Sequence, residues 1–299
     1  MKKISKLLPL TLSVAVIGSC AFSYFSYFKQ YLPENNEKYE MVMQTIKAEK
    51  DKNNKPLEKK EKTAKKMDTN VDNTCIDWWF VPNGNHEAPR LNDKLSFKFE
   101  DYDAHCLGDT SKKVLYLTFD EGYENGYTDK ILDTLKENDV KAIFFVTLPY
   151  IRDNQDIIKR MVDEGHIVGN HSNHHPSMPE VATDESKFNK EFTDVEELFT
   201  EITGTEMPKF FRPPMGKYSQ RSLAMTKNLG YKTVFWSFAY HDWDINNQPE
   251  PEKAKKKILD GLHNGSIMLI HAVSKTNNEI LGDVIKEAKQ QGYTFELLE

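Results

Sequence analysis

Cysteine is scarce in this chain. Three cysteines occur in 299 residues, too few for a disulfide-stapled scaffold. Cys20 lies in an apolar N-terminal run, which leaves Cys75 and Cys106 either to pair or to stay as free thiols. A basic surface is also missing from most of the chain. Residues 75–299 carry a net charge of −11, against +5 for residues 1–74. An acidic globular region does not suit phosphate binding, so nucleic acid is excluded as a partner. No internal repeat divides the chain, and its length allows one large domain or two small ones.

Large apolar residues are sparse between positions 29 and 74, and positions 47–66 are nearly all charged or polar. Such a segment cannot bury enough surface to offset its ordering entropy. It reads as a charged extracytoplasmic linker, part of it helical. The segment before it is the opposite. Lys2, Lys3 and Lys6 precede an uncharged stretch over 7–28, and about 20 apolar residues span a bilayer as a helix. The basic flank places the N-terminus in the cytoplasm and the bulk outside. Residues 1–28 are therefore expected to anchor the protein to the cell membrane. A cleaved signal peptide, or a lipoprotein signal ending at Cys20, are the alternatives.

Trp78, Trp79, Phe80, Phe97 and Phe99 suggest a packed irregular lead-in over 75–110. From 111 to 299 short apolar runs alternate with amphipathic stretches. Strands are expected at 114–119, 142–147, 167–169, 209–211, 233–237, 267–270 and 293–297, each apolar enough to be buried on both faces. Helices are expected near 127–138, 154–164, 184–203, 219–229, 251–263 and 277–291. Asn138, Gly165, Gly204, Gly230 and Gly292 stop helices before the next strand. Strict alternation of this kind predicts an α/β domain with a parallel sheet, either doubly wound or a closed or nearly closed barrel.

Ionisable residues gather just after these strands. Asp120-Glu121-Gly122, Asn170-His171, His174-His175, Arg212, His241-Asp242-Trp243-Asp244 and His271 follow five different strand ends. Taken singly, each has an ordinary explanation: a turn, a polar surface loop, a structural ion pair, a core histidine. Their shared position is different, because the C-terminal ends of parallel strands carry active sites. His171 lies four residues before His175 and three before His174, so either second imidazole shares a helical face with it. Two imidazoles and a carboxylate suit a divalent metal such as zinc, with an open position for water. Asp120 or Glu121 then suits a general base and His271 a general acid. That set hydrolyses an amide or an ester.

Thr118-Phe119-Asp120-Glu121-Gly122, His171-Ser172-Asn173-His174-His175, Arg212-Pro213-Pro214-Met215-Gly216, Ala239-Tyr240-His241-Asp242-Trp243 and Leu269-Ile270-His271 resemble, in order, the five motifs of the polysaccharide deacetylase family. This is carbohydrate esterase family 4, with its NodB-homology domain. The resemblance spans about residues 110–299. It implies a distorted (β/α) barrel of about seven parallel strands. It implies that Asp120 is the base, tuned by Arg212, and that His271 is the acid, tuned by Asp242. It implies that His171, His175 and Glu121 hold the metal. It implies that the Met215 N–H holds the oxyanion, and that Trp243 and Leu269 wall the acetyl pocket, with Tyr123 beside the substrate.

Two positions depart from the family pattern. Glu121 stands for the usual metal-binding Asp, and Ala239 for the first Asp of the fourth motif. The segments 122–128, 237–240 and 269–274 are similar to the PdaA-type delta-lactam-forming N-acetylmuramic acid deacetylases of endospore formers. That likeness implies the glycan strand of peptidoglycan as substrate, after an amidase has removed the peptide stem. A general N-acetylglucosamine deacetylase and a non-catalytic wall-binding module are the alternatives.

Overall fold

The computed structural model describes residues 66–92 and 94–299. The anchor expected over 1–28 and the linker expected over 29–74, as far as residue 65, lie outside the described residues. In chain order the strands are β1 (Ile76–Asp77), β2 (Phe80–Val81), β3 (Arg90–Leu91), β4 (Ala104–His105), β5 (Val114–Glu121), β6 (Ile143–Val146), β7 (Ile167–Asn170), β8 (Phe210–Phe211), β9 (Lys217–Tyr218), β10 (Lys232–Val234), β11 (Phe238–Ala239), β12 (Ser266–Ile270) and β13 (Thr294–Phe295). The helices are α1 (Thr128–Glu137), α2 (Leu148–Asp153), α3 (Gln155–Asp163), α4 (Met178–Val181), α5 (Glu185–Thr203), α6 (Gln220–Asn228), α7 (Pro251–Asp260) and α8 (Lys275–Gln290).

One parallel sheet runs β11-β12-β5-β6-β7-β8-β10-β4. β13 joins it at Val114 and Leu115, on β5, whose pairing with β6 begins only at Thr118. All eight residues of β5 are buried, as a strand covered on both faces requires. Its side chains alternate between two cores. Leu115, Leu117 and Phe119 pack outward with Ile131, Leu135 and Ile285 of α1 and α8. Val114 and Tyr116 pack inside the curl of the sheet with Ile143, Phe145, Val234 and Ile267. The helices are held by local signals. The Asp184 side chain caps α5, which stops at Gly204 with φ 73°. Ser219 and Ser222 close a capping box on α6.

Of the strand expected over 233–237, only 233–234 lie in β10; 235–237 are not strand, and β11 begins at Phe238. β10 pairs with β8 and β4, whereas β11 pairs with β12 at the opposite end of the sheet. Val234 and Phe238 are joined by at most about 14 Å of chain. The sheet must therefore curl until its ends approach. The segment after β4 completes the curve, because Leu107 bridges Ser266 of β12 and the Gly108 N–H donates to the Gly265 carbonyl at 2.8 Å. The result is a curled parallel half-barrel, in keeping with the distorted barrel that the resemblance implies.

The lead-in packs on this body through Trp78, which stacks on Phe235 at 4.6 Å and donates from Nε1 to the Trp236 carbonyl at 3.0 Å. Cys75 and Cys106 are free thiols. Cys75 precedes β1, which pairs with β9, while Cys106 follows β4, which pairs with β10. Burial pushes the Cys106 thiol up to about 12.

Candidate active site

A cleft of about 1120 Å³ opens at the C-terminal ends of the strands. Asp120, His171, His175, Met215, Trp243, Leu269, His271 and Tyr123 all line it. Arg212 and Asp242 lie behind this wall and act through the residues in front of them.

Asp120 shares the inner face of β5 with Tyr116 and Thr118. Its Oδ1 accepts from Arg212 Nη1 at 2.8 Å. Arg212 exposes no surface. It follows β8, and the curl lays its guanidinium over the Phe145 ring at 4.3 Å. Nη1 also donates to Thr118 Oγ1 at 2.8 Å, while Nε and Nη2 donate to the carbonyls of Val234 and Phe235 at 3.1 and 3.3 Å. Burial pushes the Asp120 carboxyl up, but the Arg212 guanidinium, aided by His171 and His271, outweighs it and holds the carboxyl below its ordinary range. Asp120 is thus an ionised acceptor beside an open cavity.

His171 is buried at the end of β7. Its Nδ1–H donates to the Arg212 carbonyl at 2.8 Å, so Nε2 keeps its lone pair and lies 3.7 Å from Asp120 Oδ2. Burial drives its pKa down to about 4, which leaves the ring neutral near pH 7. The His175 ring stands 4.9 Å away, centroid to centroid. A left-handed backbone at Ser172 and His175, with φ of 73° and 56°, turns it there. His174 is anchored elsewhere: its backbone N–H and Nδ1 bond to Glu191 at 2.8 and 2.9 Å.

Glu121 does not join these imidazoles. Successive strand residues face opposite sides, so Glu121 shares the outer face with Leu117 and Phe119. It is fully buried, and neither carboxyl oxygen has a hydrogen-bond partner. Burial, then the nearby Glu124 and Asp120, push its pKa well above the ordinary value. Glu121 thus stands apart from the two imidazoles with which the resemblance groups it as a ligand. Among the described residues no group of three His, Cys, Asp or Glu side chains converges as metal ligands. The donors present fit two imidazole ligands and not a three-ligand zinc centre.

His271 closes the opposite wall. Its Nδ1 bonds to Asp242 Oδ1 and its backbone N–H donates to Asp242 Oδ2, both at 2.8 Å. Burial pushes the imidazole down, but Asp242 outweighs it and holds the pKa above its usual value. Nε2 is left for the cleft. Three supports of this dyad carry no sequence signal. Asn277, buried in α8, donates to Asp242 Oδ2 at 2.6 Å and to the His271 carbonyl at 3.0 Å. The Tyr240 hydroxyl bonds to Asn277 Oδ1. Gln248 Nε2 donates to the Asp242 carbonyl at 2.8 Å. Ser274, the cap of α8, is the sole local hint that α8 begins beside the site.

The rim is apolar and exposed. Tyr123, Trp243 and Met215 are each about half exposed, and Met215 holds φ at 58°. Leu269 is buried beneath them. An ionised acceptor on one wall, an imidazole with a raised pKa on the other and an aromatic rim suit addition of water to a carbonyl and protonation of the leaving nitrogen.

Residues 107–234 match the polysaccharide deacetylase family. The chain is 46% identical over 229 residues to the peptidoglycan-N-acetylmuramic acid deacetylase PdaA of Bacillus subtilis, covering 77% of this chain and 86% of that one. It is 48% identical, with the same coverage, to an uncharacterised 30.6 kDa protein of Geobacillus stearothermophilus. The solved structure of B. subtilis PdaA, a family 4 carbohydrate esterase, superposes with a TM-score of 0.73 over 76% of this chain and 96% of that chain. The chain thus belongs to the polysaccharide deacetylase family.

Proposed function

We propose that the enzyme removes the N-acetyl group from muramic acid residues of peptidoglycan, on strands whose peptide stems an amidase has already removed. The observation that carries this reading is the placement of Asp120 and His271 on opposite walls of one cleft, each bonded to a buried partner that shifts its pKa toward the role of base or acid. The likeness to a muramic acid deacetylase supports the choice of sugar.

Asp120 takes a proton from water as its oxygen adds to the acetyl carbonyl carbon. The oxyanion settles against the Met215 N–H. His271 gives its proton to the amide nitrogen, the C–N bond breaks, and acetate leaves. Leu269 and Trp243 wall the space for the methyl group. The free amine then closes on the lactyl carboxylate of the same sugar, with loss of water, to give the muramic delta-lactam of spore cortex. His171 and His175 are the donors this chain would offer to a divalent ion such as zinc, which would polarise the acetyl carbonyl and acidify the water. The apolar segment over 7–28 supports an extracytoplasmic enzyme tethered to the cell membrane.

The test is acetate release by the full chain from peptide-stripped and intact peptidoglycan, with product mass spectra. Loss of acetyl from muramic acid in the stripped strand, abolished by Asp120→Asn, is expected. Release from glucosamine alone would replace this reading with the general deacetylase.

A further inference from the structure

A second groove begins where the catalytic cleft ends. It encloses about 380 Å³ between Phe80 and Pro82 of the β2 segment and one face of α7. Ala239, on the edge strand β11, belongs to the walls of both cavities. The α7 face is basic. Lys253, Lys256 and Lys257 line the groove, against Asp260 alone. Lys256 is neutralised by Asp260 at 2.6 Å. On the neighbouring face Lys255 is taken up by Glu287 at 3.3 Å and Glu252 at 3.5 Å. Lys253 and Lys257, one helical turn apart, have no carboxylate partner among the described residues. Two uncompensated ammonium groups thus face an apolar-backed groove on a chain whose residues 75–299 carry a net charge of −11.

The position of Ala239 adds to this. It stands where the family motif has an Asp, so no carboxylate separates the cleft from the lysines. A carboxylate there would repel an anionic strand passing from one cavity to the other.

We infer that the groove is a second glycan subsite in which Lys253 and Lys257 bind the lactyl carboxylate of a neighbouring muramic acid residue. The inference rests on the muramic-strand reading above. A peptide-stripped strand carries one free carboxylate on every second sugar. While one sugar presents its acetyl group to Asp120, the strand brings the next acidic arm along the same path. The groove's size suits one saccharide and a short acid arm rather than a branched peptide. The lysines are solvent-exposed, so they act on binding and not on the chemical step.

Binding separates this inference from the catalytic reading. The full chain carrying Asp120→Asn, with and without Lys253→Ala and Lys257→Ala, is titrated by calorimetry with three strands. These are peptide-stripped glycan, the same glycan amidated at its lactyl carboxylates, and intact peptidoglycan. The lysine changes are expected to weaken binding of the carboxylate strand about 5- to 30-fold, the size of two exposed charge contacts. Binding of the amidated strand stays unchanged. In the active enzyme the same pair raises KM by a like factor and leaves kcat alone. No loss, or equal loss on carboxylate and amidated strands, overturns the subsite. A lysine-dependent preference for intact peptidoglycan assigns the groove to peptide-stem carboxylates and overturns the lactyl assignment. Acetate release by the unmodified enzyme, measured separately, reports on the catalytic reading alone.

Discussion

Arg212 exposes no surface, and its Nη1 donates to Asp120 Oδ1 at 2.8 Å. A buried pair of this kind costs desolvation, and its loss leaves an uncompensated charge. Arg212→Met is expected to destabilise the fold by about 3–5 kcal/mol and to move the acid limb of the kcat/KM profile to higher pH. The sign follows from the depressed Asp120 pKa. Its stabilising contribution is present above the ordinary carboxylate value and is lost as pH falls through the folded value. Arg212→Lys does not rescue, because an ammonium cannot reach Asp120, Thr118 and two carbonyls at once. Chemical denaturation and a pH–rate profile check both points.

The His271–Asp242 pair predicts the other limb. Asp242 holds the imidazole above its usual pKa, so activity that needs the protonated ring persists above pH 6.5 and falls as pH rises through the raised value. Stability from the pair follows the same course and is fully present below the unfolded value. Asp242→Asn removes the pull and shifts the alkaline limb to lower pH. A limb that stays in place in this variant refutes His271 as the acid.

Asn277 holds both Asp242 and the His271 carbonyl. Asn277→Ala removes one of two donors to Asp242 Oδ2 and one donor to the His271 carbonyl, at a cost of about 1–3 kcal/mol. kcat is expected to fall with KM nearly unchanged, and the alkaline limb to move. A purely structural residue would lower stability and leave the limb where it was.

Glu121 predicts a contrast. Since it lies on the outer face of β5, Glu121→Gln leaves divalent-metal affinity nearly unchanged, whereas His171→Ala abolishes it. Even an outer partner of a metal ligand typically matters by 10–100-fold, so a loss of that size in Glu121→Gln would falsify its placement. Its raised pKa also means the wild type loses stability as pH rises from the ordinary carboxylate value toward the folded one. Melting curves of Glu121→Gln should lack that slope.

Much of this architecture was legible in the sequence. Buried parallel strands are short apolar runs, and all seven expected strands overlap an observed one, although the run at 233–237 reaches β10 only at 233–234 and a division separates it from β11. That division was hidden because β10 and β11 are both apolar, and periodicity does not say which neighbours a strand finds. β4 and β11, two residues each, fall below any pattern. At the site, motif residues at strand ends were readable because parallel sheets place function there. The orientation of Glu121 was not readable, because a motif match does not say which face of a strand a side chain takes. Asn277 was invisible because its role depends on where α8 docks, which is decided by packing far from it in sequence.

The short passage from β10 to β11 has a mechanical meaning. Val234 and Phe235 lend their carbonyls to Arg212, which grips the base. A few residues later the same backbone delivers Asp242, which grips the acid. The partners of Asp120 and His271 thus lie within one short stretch of chain, 234–242. A residue inserted between 235 and 238 would lengthen the run that joins the two grips, as a longer string detunes an instrument.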